Sequence, residues 1–293
     1  MSEWVNLGGD RRPAAEAVGP FPHRPFLETW WEHRGEGALS VVDCGTSAAA
    51  FIEVGGTLSF AGDPDVTDYH SPLGDQPGMA VAAAIAGASS GTTVVLDSMP
   101  EEVARPVMAA AVAAGIEPVV REHEATMVLD LSGDAAATMS GKQRHEMRRK
   151  ERRFVEAVGE PGLITGPAGF DLFVAMHRMS EGPKGGFMSA ANESFLRDLL
   201  GVAGSLVDVL VTGEGDPVAA AFGFADSDAY YLYNSSFDPR AEAISPGMVL
   251  LQMLIERESS VGRHRFDFLK GTEEYKRRLG ALPRALFQIE GVV

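Results

Sequence analysis

The chain has 293 residues, of which 45% are hydrophobic, a net charge of −16 and one cysteine, Cys44. Its length suffices for two modest domains with cores of their own, while the acidic balance argues against a general nucleic-acid binder, DNA included. One cysteine excludes an intrachain disulfide and favours a reducing, cytoplasmic setting. Because the sequence has no run of about 18 apolar residues and no secretory signal pattern, we expect no membrane span.

The predicted elements divide into a leader and two halves. Residues 1–20, rich in glycine and proline, are interpreted as a flexible leader. Helices and short strands alternate over 21–135, the predicted N-terminal lobe. The predicted C-terminal lobe, 136–293, opens with a basic helix at 140–158 and continues with amphipathic helices, a three-stranded meander, a helix and further strands. Each half predicts a mixed sheet with flanking helices, so the expected fold class is α/β.

The basic helix concentrates positive charge in an acidic protein. Between Lys142 and Arg153 the chain holds seven basic residues against two glutamates, a local charge of +5. Arg144 and Arg148 are four residues apart and fall on one row of the helix. Since guanidinium groups suit phosphate, we expect this helix to contact a phosphate-bearing substrate or donor. The alternative is a solvated helix with no ligand.

A small-residue turn precedes the next helix of the second half. Ser245, Pro246, Gly247 and Met248 follow an aromatic strand and open an apolar helix. The free N–H groups and positive dipole of a helix start suit a phosphate, so Ser245, Gly247 and Met248 are predicted to bind a cofactor there. The alternative is an ordinary helix start, with serine as the cap and proline near the first position.

Charged residues follow the strand that comes next. Asp267 and Lys270 lie on this strand, and Glu274, Tyr275 and Lys276 come shortly after it. Open α/β sheets place their chemistry just beyond strand ends, which makes Lys270 a candidate substrate contact and the others candidate catalytic residues. A charge on an inner strand is rarely free, so Asp267 either pairs with a basic side chain or acts as a base. For Lys276, the alternative is a solvated basic run at a helix end.

Two residues of the first half are also candidates. Asp68 and Tyr69 lie in a loop after the early strands and are predicted to contact substrate. The alternative is a loop turn held by the nearby aspartates. We find no metal motif with ligand spacing, and therefore expect no metal cofactor.

The second half resembles the CelD-type branch of the GNAT acetyltransferases, which is similar to the FemAB peptidyltransferases. The first half contributes the opening 25–31 segment and the Asp68-Tyr69 loop. The motifs that carry the resemblance in the second half are Ser140-Gly141-Lys142-Gln143-Arg144-His145-Glu146-Met147-Arg148-Arg149-Lys150, Ala243-Ile244-Ser245-Pro246-Gly247, Phe266-Asp267-Phe268-Leu269-Lys270-Gly271 and Tyr275-Lys276-Arg277-Arg278-Leu279-Gly280.

The resemblance implies two tandem GNAT-like lobes that transfer an acyl group to an amine. GNAT enzymes take the group from acyl-coenzyme A, and FemAB relatives take it from aminoacyl-tRNA. By this likeness Lys276 or a backbone N–H would hold the oxyanion, and Asp267 or Glu274 would receive the amine proton. Of Tyr231 and Tyr233, which share one strand face, one would give a proton to the departing thiolate, with Tyr233 predicted beside the cofactor; the alternative is that both pack in the core. Lys142, Arg144 and Arg148 match a pattern that contacts nucleotide phosphates in FemAB relatives. The sequence departs from the usual pyrophosphate motif, because a single glycine precedes the helix.

The function expected from the sequence is therefore a cytoplasmic N-acyltransferase. It would use acyl-coenzyme A, or another thioester carrier, as co-substrate and a small-molecule or carrier-bound amine as acceptor, by direct attack of the amine. A homodimer is compatible with the sequence. Two alternatives stay open: an aminoacyl-tRNA-dependent FemAB-like ligase, and a non-catalytic binding module with the GNAT fold.

Overall fold

The computed structural model describes residues 3–8, 11–133, 139–180 and 182–293. Residue contacts divide the chain into two compact units. The first unit holds Met1–Thr126 with Arg284–Val293, and the second holds Met127–Pro283. The predicted boundary between residues 135 and 136 lies outside the described residues. The last ten residues, predicted in the C-terminal lobe, group instead with the first unit.

The helices and strands alternate along both units. The helices are α1 Arg24–Arg34, α2 Pro77–Gly87, α3 Glu101–Ala113, α4 Gly141–Val158, α5 Phe170–Met179, α6 Pro183–Phe187, α7 Ala190–Leu199, α8 Pro246–Ser260 and α9 Glu274–Arg278. The strands are β1 Ala38–Asp43, β2 Ala48–Val54, β3 Thr57–Phe60, β4 Thr93–Pro100, β5 Val119–Asp130, β6 Gly162–Thr165, β7 Ser205–Val211, β8 Pro217–Ala225, β9 Ala229–Phe237, β10 Arg265–Lys270 and β11 Leu282–Val292. The α/β prediction of mixed sheets with flanking helices is confirmed.

The first unit is built on the strand order β1-β2-β3-β4-β11-β5. β1, β2 and β3 form an antiparallel meander, and β3 runs parallel to β4. β11 pairs antiparallel with β4, from Leu286 opposite Pro100 to Val292 opposite Thr93. This pairing explains why the end of the chain belongs to the first unit. Pairing between segments so distant in sequence leaves no local signal.

The segment predicted to be a flexible leader is packed where the structure describes it. Glu3–Leu7 forms a 3-10 helix, and the side chains of Trp4 and Leu7 are 5% and 3% exposed. Ala15 and Val18 are buried as well. Burial of these apolar side chains outweighs the local preference of glycine and proline for irregular backbone.

The second unit has the strand order β10-β9-β8-β7-β6 and also contains the last residues of β5, from Met127 to Asp130. α4 coincides with the segment predicted as a basic helix, and Ser140 begins it with a capping box. The Ser140 hydroxyl accepts from the Gln143 N–H at 3.3 Å, and the Gln143 side chain accepts from the Ser140 N–H at 2.7 Å. Phe154 of α4 and the apolar face of α8 bury together over the sheet. This packing fixes the two helices that flank the site.

In the described part of the chain, no helix combines the length and apolar character needed to cross a bilayer. Within the same residues, no group of three or more His, Cys, Asp and Glu side chains is placed to hold a metal ion.

Candidate functional site

Two neighbouring strands of the second unit diverge. The parallel pairing of β9 with β10 joins Ala229–Tyr231 to Arg265–Asp267. Beyond these pairs β9 continues to Phe237 and β10 to Lys270. Strands that separate in this way leave backbone N–H and C=O groups along the edges that face the gap.

A cavity of about 350 Å³ lies at the end of β9, and we call it the β9–α8 cavity. Its wall combines the last residues of β9, the first turn and a half of α8, and side chains from α4 and α9. The lining residues are Lys150, Ser235, Ser236, Phe237, Glu242, Ser245, Pro246, Gly247, Met248, Leu250, Leu251 and Tyr275. A mainly apolar wall with a few polar groups is typical of a small-molecule site.

All three residues predicted at the start of α8 line this cavity. Ser245 has a left-handed backbone with φ 55°, and its carbonyl accepts from the N–H groups of Met248 at 3.1 Å and Val249 at 3.2 Å. Pro246 has no N–H group. The amino end of α8 therefore offers a phosphate fewer N–H donors than the sequence predicts. Ser245, Gly247 and Met248 nevertheless lie in the cavity wall, as predicted for residues that contact a ligand.

A β-bulge decides which residues of β9 face the cavity. Phe222 of β8 is opposite Asn234, and the next residue, Gly223, is opposite Leu232, so Tyr233 is the additional residue. The ring of Tyr233 contacts Phe222 and Phe224, with centroids 6.0 and 5.4 Å away. Phe222 in turn contacts the aromatic side chains of α5. Tyr233 therefore lies on the α5 side of β9 and does not line the cavity, which corrects its predicted role beside the cofactor.

Lys276 closes the turn that follows β10. Its side chain is 3% exposed, and Nζ donates to the carbonyl oxygens of Leu269 at 3.3 Å, Lys270 at 2.6 Å and Gly271 at 3.0 Å. A carboxylate oxygen of Glu273 lies 2.9 Å from the same nitrogen. An ammonium group has three hydrogens, and here the chain's own oxygens take them all. This corrects the prediction that Lys276 holds an oxyanion, because Nζ has no hydrogen left for a substrate.

Asp267 supports the same turn. Its side chain is 1% exposed, and Oδ1 accepts from the Leu269 N–H at 2.7 Å. Leu269 has φ 59°, a left-handed conformation that costs energy for a branched side chain. The hydrogen bond from Asp267 helps to hold this conformation. The sequence predicted that Asp267 either pairs with a cation or acts as a base. It did not predict this hydrogen bond to the backbone.

Tyr275 is the one predicted catalytic residue that lines the β9–α8 cavity. Burial raises the pKa of its phenol, and the negative charge of Glu273 raises it further. The phenol is therefore protonated at neutral pH, and its raised pKa makes it a weaker acid than an exposed tyrosine. Glu274, by contrast, is exposed and pairs with Arg278 at 3.4 Å, so its carboxylate lies on the surface rather than in the cavity wall. Lys270 ends β10, where its carbonyl accepts from Lys276.

The predicted arginines of α4 line a second cavity of about 450 Å³, which we call the α4–α8 cavity. Arg144 and Arg148 form part of its wall, opposite the carboxyl-terminal half of α8. Arg144 also donates to the Met139 carbonyl at 2.5 Å. Lys142 lies exposed in the first turn of α4. The structure thus separates these three residues from those at the start of α8.

The candidates of the first unit differ in exposure. Tyr69 is fully buried, with its hydroxyl 2.6 Å from that of Thr126 and the guanidinium of Arg284 5.1 Å from its ring centroid. Its ring is a core element, which corrects the prediction that it contacts substrate. Asp68 is half-buried in the same loop.

The sequence did not single out Lys150, Ser235 or Phe237 as site residues, although all three line the β9–α8 cavity. Lys150 is one of seven basic residues between Lys142 and Arg153, so its residue type does not distinguish it as a cavity residue. Ser235 and Phe237 could have been found from their position at the end of the strand before the α8 turn, where such sheets bind ligands.

Residues 141–277 match the family model described as Acetyltransferase (GNAT) domain, a stretch that includes α4, α8 and β10. No curated protein matches the chain in sequence. Several solved structures are similar in fold. A conserved protein of unknown function from Bacteroides thetaiotaomicron has a TM-score of 0.66 at 13% identity, over 99% of this chain and 95% of its own.

FemX has a TM-score of 0.64 at 10% identity, over 100% of this chain and 96% of its own. The C-terminal domain of a protein described as a lysylphosphatidylglycerol synthetase, from Agrobacterium fabrum, has a TM-score of 0.62 at 12% identity, over 91% and 86%. Likenesses at these identities establish the fold. The chain has a GNAT-like fold, and residues 141–277 of its second unit are similar to the GNAT acetyltransferase domain.

Proposed function

We propose that the protein is an N-acyltransferase that moves an acyl group from a thioester donor, acyl-coenzyme A or another thioester carrier, to an amine. The observation that supports this most directly is the divergence of β9 from β10 beside the β9–α8 cavity. An extended, amide-containing donor arm would find backbone hydrogen-bonding groups along the open edge of β9 and an apolar cavity at its end. Within the GNAT fold we place the chain in the FemAB-related, CelD-type branch.

The chemistry proposed is direct attack without a covalent enzyme intermediate. The amine nitrogen uses its lone pair to form a bond with the thioester carbonyl carbon. The carbon–sulfur bond breaks, and its electron pair stays on sulfur. The thiolate takes a proton from the Tyr275 phenol, which regains one from water as the new amide nitrogen loses a proton to water. Holding donor and amine side by side supplies most of the acceleration.

The oxyanion of this reaction needs a donor other than Lys276, since that ammonium is saturated. Backbone N–H groups on the open edge of β9 meet the requirement, because they are fixed by the pairing of β9 with β8 along the other edge.

The test is a transfer assay with the full chain. Acetyl-coenzyme A and an acetyl-loaded acyl carrier protein serve as donors, and the acceptors are a panel of polyamines, amino sugars and lysine-containing peptides. Mass spectrometry should find an acetylated amine whose formation requires the protein. If every donor and acceptor pair gives only the uncatalysed rate, the acyltransferase proposal fails.

A second candidate is an aminoacyl-tRNA-dependent ligase of the FemAB type. The basic helix α4 supports it, because Arg144 and Arg148 line a cavity large enough for a nucleotide fragment. The net charge of −16 opposes it. Salt-sensitive binding of aminoacyl-tRNA, with transfer of the amino acid to an amine, would favour this candidate over the first.

A further inference from the structure

We propose that the exposed face of α4 docks an acidic carrier protein, whose acyl-bearing phosphopantetheine arm enters the β9–α8 cavity. This inference rests on the proposed acyl transfer and names the class of donor. It makes α4 the docking helix of the enzyme, rather than a solvated connector.

The first support is unpaired charge on α4. Lys142, Arg148, Arg152 and Arg153 are exposed, and none has an ion-pair partner in the part of the chain that the structure describes. Arg149, by contrast, pairs with Glu146 at 2.7 Å. These unpaired cations lie on two rows of the exposed face of an 18-residue helix about 27 Å long, and together they complement a compact acidic surface of similar length.

The second support is that α4 also reaches the cavity. Lys150 belongs to α4 and lines the β9–α8 cavity, so one helix supplies both the docking face and a cation in the cavity wall. The phosphopantetheine arm of a carrier protein is joined through a phosphodiester with a single negative charge. One lysine at the wall matches that charge.

The third support is the mismatch with free coenzyme A. Coenzyme A carries several further negative charges on its pyrophosphate and ribose phosphate. At the start of α8, Pro246 has no N–H, and the Met248 and Val249 N–H groups are bonded to Ser245. The wall adds the exposed carboxylate of Glu242. These features remove donors and add a repulsive charge where the pyrophosphate would lie.

The charge of the whole chain favours a carrier protein over tRNA. The segment between Lys142 and Arg153 carries +5, which leaves −21 for the rest of the chain. A tRNA extends well past one helix and would meet this acidic surface, whereas a small carrier protein contacts mainly the basic face. Screening over about 8 Å at physiological salt confines the attraction to that face.

The experiment measures dissociation constants for four probes: a bacterial acyl carrier protein loaded with acetyl-phosphopantetheine, the same carrier without its arm, acetyl-coenzyme A, and unfractionated tRNA. The proteins are wild type, Arg152→Glu/Arg153→Glu, and the control Arg12→Glu/Arg105→Glu, which makes the same charge change on exposed arginines of the first unit. Thermal melts check that each variant is folded. Should the α4 variant unfold, Arg152→Gln/Arg153→Gln replaces it.

We expect the loaded carrier to bind wild type more tightly than the armless carrier does. The α4 double variant should weaken binding of the loaded carrier at least about tenfold, and the control by less than about twofold. Lys150→Ala should weaken binding of the loaded carrier but not of the armless one. High salt should weaken the wild-type complex and leave that of the α4 variant nearly unchanged.

The proposal would be overturned if the carrier bound the α4 double variant as tightly as wild type. It would also be overturned if acetyl-coenzyme A or tRNA bound tightly and the carrier did not bind. Transfer from acetyl-coenzyme A without carrier binding would overturn the docking surface alone and leave the acyltransferase proposal intact. Binding of the loaded carrier that depends on α4, with no acetylated amine for any acceptor, would overturn the acyltransferase and retain the docking surface.

Discussion

The turn after β10 and the cavity after β9 lie at the ends of the same pair of diverging strands, yet their side chains differ in how far their polar groups are satisfied. In the β10 turn, Lys276 donates to three carbonyls and Asp267 accepts from the Leu269 N–H. In the β9–α8 cavity, polar side chains such as Tyr275 and Lys150 share the wall with apolar ones around about 350 Å³ of space.

The difference separates stability from function. A charged residue near a strand end can hold a substrate oxyanion only where one of its hydrogen-bond donors is unused. The ammonium group of Lys276 donates to three backbone carbonyls and so stabilises the turn. The cavity keeps its capacity for a ligand. Four substitutions test whether the two regions divide in this way.

The largest loss of stability should come from Lys276→Met. Methionine keeps much of the apolar stem but leaves three carbonyl oxygens without their donor. We expect the free energy of unfolding to fall by about 3 kcal/mol, measured by urea denaturation. Lys142→Met, at an exposed position of α4, is the control and should change it by less than about 0.5 kcal/mol. A Lys276→Met protein as stable as wild type would show that the turn does not depend on the ammonium.

Met248→Trp should have the next largest effect, this time on activity. The larger side chain would fill part of the β9–α8 cavity, so we expect transfer to slow about 100-fold, or about 2.7 kcal/mol. The melting temperature should change little, since Met248 is only half-buried. Met179→Trp, on an exposed position of α5, is the matched control. Unchanged transfer by Met248→Trp would place the reaction outside this cavity.

Local patterns explain what could be predicted from the sequence. The basic helix was predictable because Ser140 and Gln143 form its cap within four residues of each other. The turn before α8 was predictable because Pro246 restricts the backbone dihedral angles and Gly247 widens the range of allowed ones. The order of strand, turn, helix and strand follows from such local signals, and it is enough to indicate the α/β class.

Contacts between distant segments explain what could not be predicted. The position of Tyr233 depends on a bulge formed against Phe222, and residue alternation alone would not reveal it. Three of the oxygens around the Lys276 ammonium belong to the backbone, and residue type does not encode the position of such oxygens. Tyr69 is buried under Arg284, a residue more than 200 positions later in the chain. A residue's chemistry was visible in the sequence, but not whether its partners were already supplied.

Asp267→Ala should show a smaller effect than Lys276→Met in the same turn. The change leaves the buried Leu269 N–H without its acceptor and removes support for a left-handed leucine. We expect a loss of about 2 kcal/mol in urea denaturation. Asp267→Asn retains an oxygen acceptor and should lose less. Equal losses for the alanine and asparagine variants would mean that the hydrogen bond to Leu269 is not what Asp267 contributes.

The smallest effect on stability should come from Tyr275→Phe, and this change in stability should appear only in alkali. Burial and Glu273 raise the pKa of the Tyr275 phenol in the folded protein above its value of about 10 in the unfolded chain. The unfolded chain therefore releases this proton first, and the tyrosine's contribution to stability, complete below about pH 10, is lost as the pH rises further. Removing the phenol should make the decline less steep by up to about 1 kcal/mol for each pH unit above 10.

Tyr230, whose pKa is raised mainly by burial, stays in both proteins, so the difference in urea denaturation between wild type and Tyr275→Phe isolates Tyr275. Identical profiles would mean that the phenol is solvated, and the cavity wall would then lose its one proton donor among the predicted catalytic residues.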